Sequence, residues 1–83
     1  MMKTTYFAQV ILKGAPGEHQ RGARFYVLFL ADKAYWLRNG CVASLPREEM
    51  EEGEHFFIEE SWSVTDTMTH EMQITFKRLM ELI

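Results

Sequence analysis

From Phe25 to Ala31 the chain runs through seven apolar residues without a break, aromatic and aliphatic side chains filling the run. Alternate side chains of an extended segment point to opposite sides, so a strand of this composition has two apolar faces and both need a cover. As a helix the run falls far short of the roughly 20 residues that cross a bilayer. Arg24 to Ala31 is therefore predicted as a central strand, and the rest of the chain has to supply two covers.

One cover is legible at the C-terminal end. Met68, Met72, Phe76, Leu79, Met80 and Ile83 recur at three- and four-residue steps, while His70, Glu71, Gln73, Lys77 and Glu81 fall elsewhere. That is the period of an amphipathic helix, and Thr65 or Asp66 can cap its start. Met68, Met72 and Met80 read as soft packing material for the core.

The remaining pattern is mostly of period two. Tyr6, Ala8, Val10 and Leu12 share one side of an extended segment and Thr5, Phe7, Gln9 and Ile11 the other, which predicts a first strand over Thr4 to Leu12. The polar, glycine-punctuated stretch from Gly14 to Gly22 reads as a mobile hairpin loop. Ala34 to Arg38 and Cys41 to Leu45 flank Asn39-Gly40, a pair that tolerates the positive φ of a type I′ hairpin turn. Asp32-Lys33 is either a further tight turn or a bulge in one long strand.

Pro46 to Glu52 reads as a short helical turn stopped at Gly53, and Glu54 to Val64 as a fifth strand interrupted at Glu60. The expected fold class is α+β, an antiparallel four- to five-stranded sheet packed by one C-terminal amphipathic helix, with residues 1–83 forming a single domain. One helix covers one face. Phe7, Ile11 and Phe57 place apolar groups across both faces, and Pro46 to Glu52 is too acidic to be expected as a lid. Either the sheet curls on itself, or its second face meets a protein partner or a second copy in a homodimer.

The net charge of −3 conceals a dipolar chain. Met1 to Arg47 carries seven Lys or Arg against Glu18 and Asp32, whereas Glu48 to Asp66 carries eight acidic residues and no basic one. Glu48, Glu49, Glu51, Glu52 and Glu54 crowd into one short stretch, which must face water or a cationic surface. In the basic half, Lys13, Arg21, Arg24, Lys33 and Arg38 with Tyr26, Tyr35 and Trp36 offer charge and stacking surfaces for single-stranded nucleic acid. Their dispersal and the pI near 5.5 make nucleic acid the weaker expectation.

Chemistry is sparsely represented. His19, His55, His70 and Cys41 stand at no ligand spacing to one another, and no CxxC, HxH or HExxH occurs. Gly14 to Gly17 lacks the lysine and helix context of a phosphate loop. His55 and His70 adjoin Glu54 and Glu71, a pairing that favours their charged forms where the side chains meet. With one cysteine no internal disulfide can form, and no export signal or membrane span is evident, which points to the cytoplasm.

These features predict a small non-enzymatic binding protein with no catalytic residue, cofactor or metal. It is expected to act as a stoichiometric inhibitor or adaptor of a protein partner, in the manner of phage or mobile-element products that block host defence. The expected contacts are the charges of Glu48, Glu49, Glu51, Glu52 and Glu54 and the apolar anchors Trp36 and Phe57. The alternative is a nucleic-acid-binding module built on the basic half.

Overall fold

The computed structural model describes residues 4–14, 22–64 and 68–83. Along the chain come β1 (Tyr6–Leu12), β2 (Arg24–Leu30), β3 (Lys33–Arg38), β4 (Cys41–Pro46), α1 (Arg47–Glu51), β5 (Phe56–Ser63) and α2 (His70–Leu82). The strands form one antiparallel sheet in the order β4-β3-β2-β1-β5, so the chain is α+β with a five-stranded sheet and a C-terminal helix. Its first four strands are a meander, and β5 returns to the free side of β1.

Local chemistry explains the turns. Leu30 pairs with Lys33, so Ala31 and Asp32 make a two-residue turn, one position earlier than the two options weighed on Asp32-Lys33. Asn39 and Gly40 have φ of 52° and 79° between the paired residues Arg38 and Cys41, as a type I′ turn requires. On β5 the interruption falls at Glu59: Gln9 pairs with Glu60 but Val10 pairs with Ile58, leaving Glu59 as the extra residue. The loop expected between Gly14 and Gly22 falls largely on residues 15–21, outside the described residues.

Both faces of β2 are covered. On one face Phe7 and Leu28 are buried with Met72 and Leu79 of α2, and Phe76 meets Phe7 edge-on at 6.1 Å. On the other, Ala8, Val10, Val27, Phe29 and Ala34 form a buried cluster with Met50 of α1. This second cover corrects the expectation that Pro46 to Glu52 is too acidic for a lid. In a five-residue helix, positions i and i+3 share a side. Arg47 and Met50 therefore turn inward, 5% and 1% exposed, while Glu48, Glu49 and Glu52 stay in water.

Two details of α2 also differ from expectation. Thr69 is the N-cap, its Oγ1 accepting from Met72 N at 3.2 Å; Thr65 and Asp66 lie outside the described residues. Met80 and Ile83 are half exposed instead of buried, because the sheet-facing stripe is held by Met72, Phe76 and Leu79.

Candidate functional site

The ladder between β2 and β3 has only three residue pairs, Leu28 with Tyr35, Phe29 with Ala34 and Leu30 with Lys33. Beyond Tyr35, β3 stays paired to β4 as far as Arg38, and β2 stays paired to β1 back to Arg24. The sheet therefore divides at this end into a β3-β4 ribbon and a β2-β1-β5 blade, with a notch between them. Tight two-stranded ribbons twist more strongly than wide sheets, which carries the ribbon away from the blade.

The notch opens into a concavity of about 550 Å³ on the face that α1 covers elsewhere. Its apolar wall is made by Phe25, Trp36, Leu45 and Phe56. Phe25 and Trp36 face one another across the gap with ring centroids 5.6 Å apart, and Phe56 stands edge-on to Phe25 at 6.4 Å. Arg24 and Arg38 also line it, and among the described residues no acidic side chain does. Arg24 is engaged, its Nε donating to Glu59 Oε2 at 3.1 Å. Arg38, across the hairpin from the exposed Cys41, makes no ion pair with any described residue.

The acidic stretch sits on the same face at the other end of the notch's wall, since Met50 belongs to the same apolar cluster as Trp36 and Leu45. Its glutamates are not equivalent. Glu51 turns back to the protein: its Oε2 accepts from the Tyr6 hydroxyl at 2.5 Å and its Oε1 from Arg47 Nε at 2.9 Å. The Arg47 guanidinium lies over the rings of Tyr6 and Phe29, 5.1 and 5.8 Å from their centroids, and donates to the Ala31 carbonyl at 3.3 Å. Burial, followed by the hydrogen bond to Glu51, pushes the Tyr6 phenol well above its usual range. Glu48, Glu49, Glu52 and Glu54 remain on the exposed side as an acidic ridge.

Trp36 and Phe57, the two expected apolar anchors, do not converge. Trp36 belongs to the face of α1, whereas Phe57 pairs with Ile11 and points to the opposite face, half exposed, with Lys13 Nζ 5.6 Å from its ring. Of the basic and aromatic residues expected to serve nucleic acid, Arg38 and Trp36 meet in the notch, Arg24 borders it with its side chain turned to the face of Ile11 and Phe57, and Tyr26 and Tyr35 pack on the face of α2. Sequence reasoning missed the notch and with it Phe25, Leu45 and Phe56. A strand pattern records which side a residue faces but not where two neighbouring strands part.

Cys41, His55 and His70 are exposed, and among the described residues no group of three or more His, Cys, Asp or Glu is arranged to hold a metal ion. No helix among the described residues is long and apolar enough to cross a membrane. Compared with known proteins, the chain matches no family model, no curated protein and no solved structure.

Proposed function

We propose that this chain is a cytoplasmic, non-enzymatic binding protein that acts by occupying a protein partner as a stoichiometric inhibitor or adaptor. The observation that carries the reading is the join of two surfaces on one face: an acidic ridge of Glu48, Glu49, Glu52 and Glu54 beside an aromatic corner that includes Trp36. Clustered charge steers and orients a partner of opposite sign, and buried aromatic groups supply the affinity. Glu51 is withdrawn from the docking set because Tyr6 and Arg47 already hold it. Phe57 faces away from this surface and is withdrawn as well. Size and surface chemistry of this kind suit a phage or mobile-element product that blocks a host enzyme, an analogy at the level of architecture.

The test begins with capture of the partner from the native cell and measurement of its affinity for the pure protein. Reversal of Glu49, Glu52 and Glu54 to lysine should weaken that complex at least tenfold and leave unfolding unchanged; an unaltered affinity removes the ridge from the account. Light scattering before capture separates a hetero-partner from a second copy: a particle of 9.8 kDa is expected, and twice that mass transfers the face to a homodimer.

A second reading is favoured by the meeting of Arg38 and Trp36 in the notch, a combination with which single-stranded nucleic acid is stacked and neutralised. It requires affinity to fall steeply with salt. The acidic ridge on the same face opposes it, because a strand longer than a nucleotide or two leaving the notch over α1 meets like charge.

A further inference from the structure

We infer that the notch between β2 and β3 is a binding site for a small aromatic monocarboxylate. The site shares Trp36 with the surface proposed for a protein partner, but its test uses the chain alone and so stands or falls apart from that reading. Its volume, about 550 Å³, lies within the roughly 300–1,000 Å³ common to small-molecule pockets. Its wall is aromatic where a flat ligand needs it. Phe25, Trp36 and Phe56 pack on one another at two orientations, tilted and perpendicular, so a planar ring laid against this wall can stack on one and meet another edge-on.

Charge selects the rest of the ligand. No acidic side chain among the described residues lines the notch, and Arg24 is turned to the opposite face and paired with Glu59, which leaves Arg38 as a single uncommitted guanidinium at the mouth. One guanidinium matches one carboxylate through a planar two-pronged contact. A dianion or a polyanion gains nothing further from Arg24 and approaches the glutamates of α1. Where β2 and β3 part, the backbone edges that a complete ladder would have joined border the gap, and Asn39 lies at the lip. The wall is thus built for a ring and its one open charge for an acid.

The experiment is an NMR titration of the full chain, amide-resolved, with indole-3-acetate, with neutral indole and with a dodecamer of deoxythymidine. Indole-3-acetate should shift the amides of Phe25, Trp36, Arg38, Asn39 and Leu45 and bind about tenfold more tightly than indole. Arg38→Gln should erase that tenfold preference while leaving the affinity for indole unchanged. The same change at Arg78, an exposed arginine on α2, should leave both affinities alone. Arg38 is exposed and makes no ion pair with a described residue, so the variant is expected to fold, and its amide spectrum checks this. Equal affinity for indole and indole-3-acetate, shifts centred away from the notch, or an oligonucleotide bound there more than tenfold more tightly than indole-3-acetate would each overturn the assignment.

Discussion

Replacing Met50 by alanine tests whether α1 is a structural lid or only a solvated turn. Five residues cannot sustain a helix in water, because nucleation is unfavourable and too few hydrogen bonds follow it. What holds α1 must be what it buries, and that is Met50 at 1% exposure and Arg47 at 5%. Truncating a fully buried methionine costs about 2–5 kcal/mol, the lower part of that range where the surroundings can relax into the void. A one-turn lid is able to relax, so about 2–3 kcal/mol is expected, a large fraction of the roughly 4–12 kcal/mol typical of a domain this size. At about 4–8 °C per kcal/mol the melting temperature should fall by roughly 10–20 °C. The assay is urea unfolding at equilibrium, with Met80→Ala as its control. Met80 is half exposed and should change stability by no more than about 0.5 kcal/mol. If the two variants melt alike, α1 contributes no cover and the lower half of the sheet face is available for docking.

Two further perturbations read neighbouring features. Because the folded state holds the Tyr6 phenol neutral well above its usual range, the unfolded chain releases that proton first, near the ordinary tyrosine value of about 10. The stabilisation from Tyr6 is complete below about pH 10 and is lost as pH rises through the elevated folded value. Tyr6→Phe should therefore cost about 1–2 kcal/mol at pH 7, the worth of a hydrogen bond to a charged group, and the gap from the parent should narrow in urea titrations above pH 10. A gap independent of pH would show that the phenol's proton is not part of the contact. At Gly53 an added Cβ would sit 2.1 Å from the Glu49 carbonyl oxygen, a backbone atom that cannot swing aside, so Gly53→Ala should destabilise by more than about 1 kcal/mol in the same assay. An alanine accepted there without loss would mean that the exit from α1 is looser than its geometry.

The parts of the fold that were legible in the sequence are those set by local rules. Period-two alternation located β1, β3, β4 and β5 and the unbroken apolar run located β2, each to within about two residues at each end, and Asn39-Gly40 located the hairpin, because φ preference is a property of the two residues themselves. The lid was misread because composition was weighed in place of spacing: four acidic residues between Pro46 and Gly53 obscured the i, i+3 pair Arg47 and Met50. Met80 and Ile83 were misassigned for a related reason. Helical periodicity names a stripe, but the sheet beneath contacts only the part of the stripe that lies over it. The notch had no signal of its own. Phe25, Trp36 and Phe56 come from three strands, and their meeting depends on a ladder that stops after three pairs, a fact about twist between elements and not about any one segment.

The open notch follows from the length of the connection that forms the lid. β4 and β5 are opposite edges of the sheet, so the chain between them has to pass over four interstrand gaps, about 19 Å sideways at the usual spacing. It must also travel the length of a strand, since Pro46 lies beside the start of β3 and Phe56 beside the end of β1. The five residues of α1 advance only about 7–8 Å, and four residues, Glu52 to His55, follow before β5. So short a connection is confined to one diagonal of the face, with Met50 on the cluster beneath it. Such a diagonal covers a stripe, and the corner it leaves bare is where β3 and β4 turn away. A lid long enough to cover that corner would have to bury Arg38 against an aromatic wall with no described acid to pair it, a cost of several kcal/mol for an uncompensated charge. Leaving the corner open keeps the guanidinium hydrated until an anion of the right shape replaces the water.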